Sequence, residues 1–173
     1  MGLDMYLNRR IFVWNDQKGS LTITGLKSKV NPEKVTYIIE EAGYWRKANA
    51  IHKWFVDHVQ KGNDDCKAYY VSKEDLQKLL DTVNKVLEAS ELIDGTVHNG
   101  TMYSKGKATK IVEHGKIIKD PFVAKVLLPT SEGFFFGSTD YDQYYYQDLV
   151  DTKKILEEAL KVEEGDFEYH SSW

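Results

Sequence analysis

The sequence predicts an α+β fold in one domain: about five strands in a mostly antiparallel sheet, packed by three main helices. Three observations carry this expectation. Residues 3–14 alternate apolar and polar positions and are rich in β-forming side chains. Leu76, Leu79, Leu80, Val83, Val86 and Leu87 fall on one stripe of a helical wheel. The run Gly133-Phe134-Phe135-Phe136-Gly137-Ser138 sets an apolar segment between glycines, the pattern of a strand buried on both faces.

The first strand carries Leu3, Met5, Leu7, Ile11 and Val13. Residues 15–34 are polar and turn-rich, with a short apolar run at 21–26 that suits a minor strand. Residues 35–41 form a second strand candidate, which Gly43 joins to a helix beginning near Tyr44. In that helix Ala48, Ile51, Phe55 and Val59 make an apolar arc. Trp45, His52 and Val56 continue the arc, and Asn49 sits at its edge. Lys61-Gly62-Asn63 supplies its stop, since Gly and Asn favour helix C-termini. A short strand follows at 68–71.

Ser72-Lys73-Glu74-Asp75 is a strong helix start: a Ser cap with acidic residues in the first turn. Residues 90–125 hold Gly95, Gly100, Gly106 and Gly115 and little helical pattern. They read as an irregular insertion or arm, with a β-hairpin turning at His114-Gly115. After the strand at 133–138, Thr139 or Asp140 caps a long helix through Tyr145, Leu149, Thr152, Leu156 and Leu160. Residues 167–173 make a final strand.

The chain has 173 residues, enough for one ordinary domain with a real core. Hydrophobic content of 42% and charged content of 29% belong to a soluble globular protein. Eleven tyrosines suit partly buried sites and interfaces, or equally a core that uses Tyr. A net charge of −4 argues against nonspecific nucleic-acid binding, which needs a basic surface. One cysteine rules out an internal disulfide framework and fits a reducing compartment. Neither a signal-peptide apolar region, a myristoylation signal nor a membrane-length apolar run is found, so the expected location is cytoplasmic.

Phosphate-cradling Gly-rich loops, paired-Cys zinc spacings, His-Glu-x-x-His and Gly-x-Ser-x-Gly elbows are all missing, so no catalytic residue, cofactor or metal is assigned. Cys66 follows two aspartates; it reads as a small core residue or, less simply, as a partner of His52. His52 and His58 lie about 120° apart on one helix and cannot share a metal.

Two constellations are candidates for binding. The first is Tyr44, Trp45, Arg46, Asn49 and His52, which mixes polar groups into a face that should point inward. The second is Ser138, Asp140, Tyr141 and Asp142, at a strand-to-helix junction where free backbone N–H groups gather. If the two meet, aromatic rings flank a polar cluster suited to a base, a nucleotide or a peptide side chain. A buried network that merely orders the core is the competing explanation.

Gly2-Leu3-Asp4-Met5-Tyr6-Leu7, residues 44–56, Leu128-Pro129-Thr130 with Gly133 to Ser138, Tyr141-Asp142 and Ser171-Ser172-Trp173 together resemble a family of small uncharacterised proteins of bacteriophages and mobile elements. The resemblance implies an accessory product acting inside a bacterial host, of the counter-defence, anti-CRISPR-like kind. The expected function is then a non-enzymatic inhibitor that binds a host defence protein such as a CRISPR nuclease complex. The alternatives are a sponge or receptor for a nucleotide signal, and a small enzyme using His52 as general acid/base near Asp142. No membrane partner is expected, and a homodimer is compatible with the sequence.

Overall fold

The computed structural model describes residues 2–104, 107–133 and 136–173. Six strands and three main helices make an α+β arrangement. A four-stranded antiparallel sheet has the order β2-β1-β6-β3, from β1 (Asp4–Phe12), β2 (Tyr37–Arg46), β3 (Tyr69–Val71) and β6 (Asp166–Ser172). A separate antiparallel pair joins β4 (Leu92–Ser104) and β5 (Lys107–Ile118). The single five-stranded sheet expected from the sequence is therefore two sheets.

Helices α2 (Asn49–His58), α3 (Lys73–Glu88) and α5 (Gln143–Lys161) cover one face of the larger sheet; α1 (Asn15–Lys18) and α4 (Phe122–Leu127) are short. The covered face presents Met5, Leu7, Trp45, Phe167 and Tyr169, all buried. Phe55 from α2 stacks on Tyr169 with centroids 3.9 Å apart and planes inclined by 8°. Leu76, Leu79, Val83 and Val86 of α3 and Leu149 and Leu156 of α5 complete the core. Each such side chain contributes roughly 1.5–3 kcal/mol of burial. The opposite face carries Tyr6 stacked on His170, with Tyr44 and Tyr70 exposed beside them.

Helix α3 follows its sequence signature: Ser72 Oγ accepts from Asp75 N at 3.0 Å, satisfying a first-turn donor. Elsewhere the expected elements shift. Tyr44, Trp45 and Arg46 belong to β2, not to a helix. Gly43 and Trp45 point inward while Tyr44 and Arg46 point out, a period of two that runs directly into the apolar arc of the following helix. Lys47, at φ 63°, makes the break, and α2 starts two residues later. Gly43 is required where it stands, because a Cβ there would lie 2.3 Å from Ile155 Cγ2.

Residues 21–26 form no strand; they lie exposed or partly exposed with no neighbour in either sheet. Residues 90–125 are far more regular than expected. His114 and Gly115 sit inside β5 opposite Thr96 and Gly95, so the hairpin does not turn there. Glycine serves close packing instead, since a Cβ on Gly115 would lie 2.9 Å from Gln143 Oε1. The strand expected at 133–138 falls partly outside the described residues, and Gly133, Phe136, Gly137 and Ser138 are not in a strand. The cap of α5 is Asp142, two residues or more beyond the expected Thr139 or Asp140. Cys66 is exposed, not a core residue.

Candidate functional site

Three parts of the chain converge beside the start of α5. The first is the turn from β2 into α2, residues 46–51. The second is made of residues 130–133 and 136–142. The third is the β4–β5 hairpin, whose register shifts between His98 and Thr101 and leaves Asn99 and Gly100 out of the ladder. The foot of the hairpin is fastened to α5: Ile118 N donates to Tyr141 O at 3.0 Å, Lys116 N to Gln143 Oε1 at 2.8 Å and Tyr144 Oη to Glu113 Oε1 at 2.9 Å. Between the three parts lies an open cavity of about 660 Å³.

Asn49 assembles one wall. Its Nδ2 donates to Phe136 O at 2.9 Å and Ser138 O at 2.8 Å, and its Oδ1 accepts from Ser131 N at 3.1 Å. One buried amide thus holds Ser131, Phe136 and Ser138 to the head of α2, offsetting the cost of burying it. Gly137, at φ 87°, packs against Lys47: a Cβ there would be 3.3 Å from the Lys47 Cβ. Arg46 lies at the rim and is paired with Asp4 at 2.7 Å. Tyr44 donates to the same carboxylate, and these two contacts, Tyr44 first, hold the Asp4 carboxyl below its ordinary range.

Asp140, Asp142 and Asp148 bring three carboxylates to the cavity. Asp142 is 1% exposed; its Oδ1 accepts from Tyr144 N at 2.9 Å and Tyr145 N at 3.2 Å, capping α5. Its Oδ2 is buried without a hydrogen-bond partner among the described residues. Burial raises the Asp142 carboxyl above its usual range against the pull of the two backbone donors, with Asp140 adding like charge. Asp148, one and a half turns along, is pushed up to about 7 by burial and then by the charges of Asp151 and Asp142.

Of the sequence-predicted residues, Arg46, Asn49, Ser138, Asp140 and Asp142 line this cavity, drawn from both constellations. Tyr44, Trp45, His52 and Tyr141 do not. Trp45 is in the core, where its indole Nε1 donates to Thr152 Oγ1 at 2.8 Å. His52 is 1% exposed, with Nδ1 2.8 Å from Tyr169 Oη and Nε2 3.0 Å from Asp64 Oδ2. Trp173 Nε1 donates to the other oxygen of Asp64 at 3.0 Å, so this network fastens the end of β6 to the loop after α2. Tyr141 packs on Tyr145 at 4.9 Å and accepts from Thr130 N.

Sequence reasoning missed Asp148, Lys47 and the hairpin residues His98, Asn99 and Gly100. Asp148 had a signal, since it adjoins the buried stripe of Tyr145, Leu149 and Thr152 where a carboxylate needs explaining. The hairpin residues had none, because only the long-range docking of β4–β5 brings them here. Among the described residues no group of three His, Cys, Asp or Glu side chains is placed to hold a metal ion. No helix among them is long and apolar enough to cross a membrane. Compared with known protein families, curated proteins and solved structures, the chain matches none.

Proposed function

We propose that this protein is a non-catalytic binding protein that takes a polar group of its partner into the cavity at the start of α5. One observation carries the reading: Asp142, buried on the cavity wall, keeps an unpartnered carboxylate oxygen. Leaving such an acceptor unmet costs roughly 1–3 kcal/mol, and more for an ion. A ligand donating to that oxygen offsets the cost, and the cavity, at about 660 Å³, is within the usual size range of ligand sites.

The role we attach to that binding is counter-defence. It is supported by the resemblance of residues 2–7, 44–56 and 171–173 to small phage and mobile-element proteins. The partner is then a host defence effector, such as a CRISPR nuclease complex. The net charge of −4 favours a basic surface on it. Two rival readings have less behind them. A nucleotide phosphate would face three carboxylates, and Arg46 is already paired with Asp4. His52 has both ring nitrogens engaged and does not line the cavity.

The test is a phage interference assay in bacteria carrying a CRISPR nuclease. Expression of the protein restores plaque formation, and Asp142→Asn and Asp148→Asn each reduce the effect. Absence of protection across several defence systems would remove the counter-defence role. Protection untouched by both substitutions would move the binding site away from this cavity.

A further inference from the structure

We infer that the cavity recognises an organic cation, a primary ammonium or a guanidinium, borne by a free amine or by a lysine or arginine of a protein partner. The inference rests on the reading of this cavity as the binding site, and adds the chemistry of what enters it.

The argument begins at the head of α5. A free helix N-terminus of this length would draw an anion. Here the place is taken: Asp142 Oδ1 already accepts from Tyr144 N and Tyr145 N. What remains is Oδ2, an acceptor when ionised, so the group that satisfies it must donate. Asp140 and Asp148 stand on the same cavity and repeat the demand.

Charge balance agrees. The Arg46 cation is matched by Asp4 at 2.7 Å, so among the lysine and arginine side chains of the lining Lys47 is left beside three carboxyl groups, with His98 on the same cavity. The carboxyl groups of Asp142 and Asp148 are both raised, by burial first and by neighbouring carboxylates after it, so a bound cation would favour their ionised forms. No three His, Cys, Asp or Glu side chains among the described residues are placed to hold one metal ion. Several carboxyl groups on one cavity suit the several N–H donors of an ammonium or guanidinium. Tyr144, 43% exposed, adds an aromatic ring to the same lining, a side chain type that suits a cation or its methylene stem. The volume exceeds the needs of the charged head alone and leaves room for that stem.

The experiment is calorimetric titration of the purified protein, supported by thermal shift. One arm uses agmatine and spermidine, a second uses short acetylated peptides holding one lysine or arginine, and a third uses inorganic phosphate and AMP. Saturable binding in the first or second arm is expected, weakened at least about tenfold in Asp142→Asn and in Asp148→Asn, with no response to the anions. Asparagine caps a helix as well as aspartate does, so Asp142→Asn retains the fold, which its unliganded melting curve checks. Response only to the peptides points to a protein partner; response only to the amines points to a metabolite. Binding of phosphate or AMP without cations overturns the ligand class but leaves the cavity as a site. Cation binding unchanged in both variants, or silence from every probe, overturns the inference. The interference assay judges the cavity reading separately.

Discussion

Trp45 and Thr152 meet in the core across a 2.8 Å hydrogen bond from indole Nε1 to hydroxyl Oγ1, joining the sheet to α5. Thr152 Oγ1 in turn donates to Asp148 O at 2.6 Å. Thr152→Val keeps the shape, orphans the indole donor and is expected to cost about 1–3 kcal/mol. Adding Trp45→Phe removes the other partner, so the cycle should show the two losses to be non-additive. Urea denaturation of the four proteins measures this, and strictly additive losses would contradict the pairing.

The Asp148 carboxyl, pushed up to about 7, ties stability to pH with a definite sign. In the unfolded chain the group titrates near about 3.9. Between these values the native state binds more protons, so this residue's contribution is full below about pH 4, declines as pH rises and levels off above about pH 7. Asp148→Asn should match the parent at pH 4 and exceed it at pH 8 by on the order of 1–2 kcal/mol, a figure reduced for the residue's partial exposure. Denaturation midpoints across that range provide the check; a difference that narrows with rising pH would refute it. A more stable but non-binding variant would also show stability given up for function.

Gly43 faces Ile155 so closely that a methyl group has no room, at 2.3 Å from Cγ2. Gly43→Ala is expected to lower stability by about 1–3 kcal/mol through overpacking. Ile155→Ala in the same chain should recover part of the loss. Thermal melts of the single and double variants decide the matter.

Asp64 serves His52 and Trp173 at once, accepting at 3.0 Å from each. Asp64→Ala leaves a buried imidazole short of a partner and should cost roughly 1–3 kcal/mol. Hydrogen exchange ought to quicken in β6 ahead of the rest of the sheet. Uniform exchange, with no local change there, would mean that the contact does not anchor the strand.

Helix α3 was legible because its cap and its apolar stripe agree, and both act within one helix. The end of β2 was not, because Gly43, Trp45 and the α2 residues satisfy two periods at once and the break at Lys47 leaves no mark in residue type. Glycine misled at Gly115, where it admits the Gln143 side chain in place of turning the chain. Asn49 was legible through its polarity at the edge of an apolar arc, and Ser138, Asp140 and Asp142 through their place ahead of a helix start; Arg46, which points outward from β2, lines the cavity beside them. His52 shared that polarity, yet its partners Tyr169 and Asp64 sit on distant segments, and nothing local separates a sealed network from an open site.

Strand β2 is outermost in its sheet, so half of its peptide groups have no strand to pair with, and Ile38 and Ile39 stand exposed along it. Glu40 and Glu41, with the bulge opposite Leu7 and Asn8, act there as gatekeepers. The Glu41 carboxylate, the Glu40–Arg9 ion pair at 3.0 Å and the kink make ribbon-wise stacking of copies unfavourable at high concentration. Neutralising both glutamates would turn a self-limiting margin into a seed for fibrils.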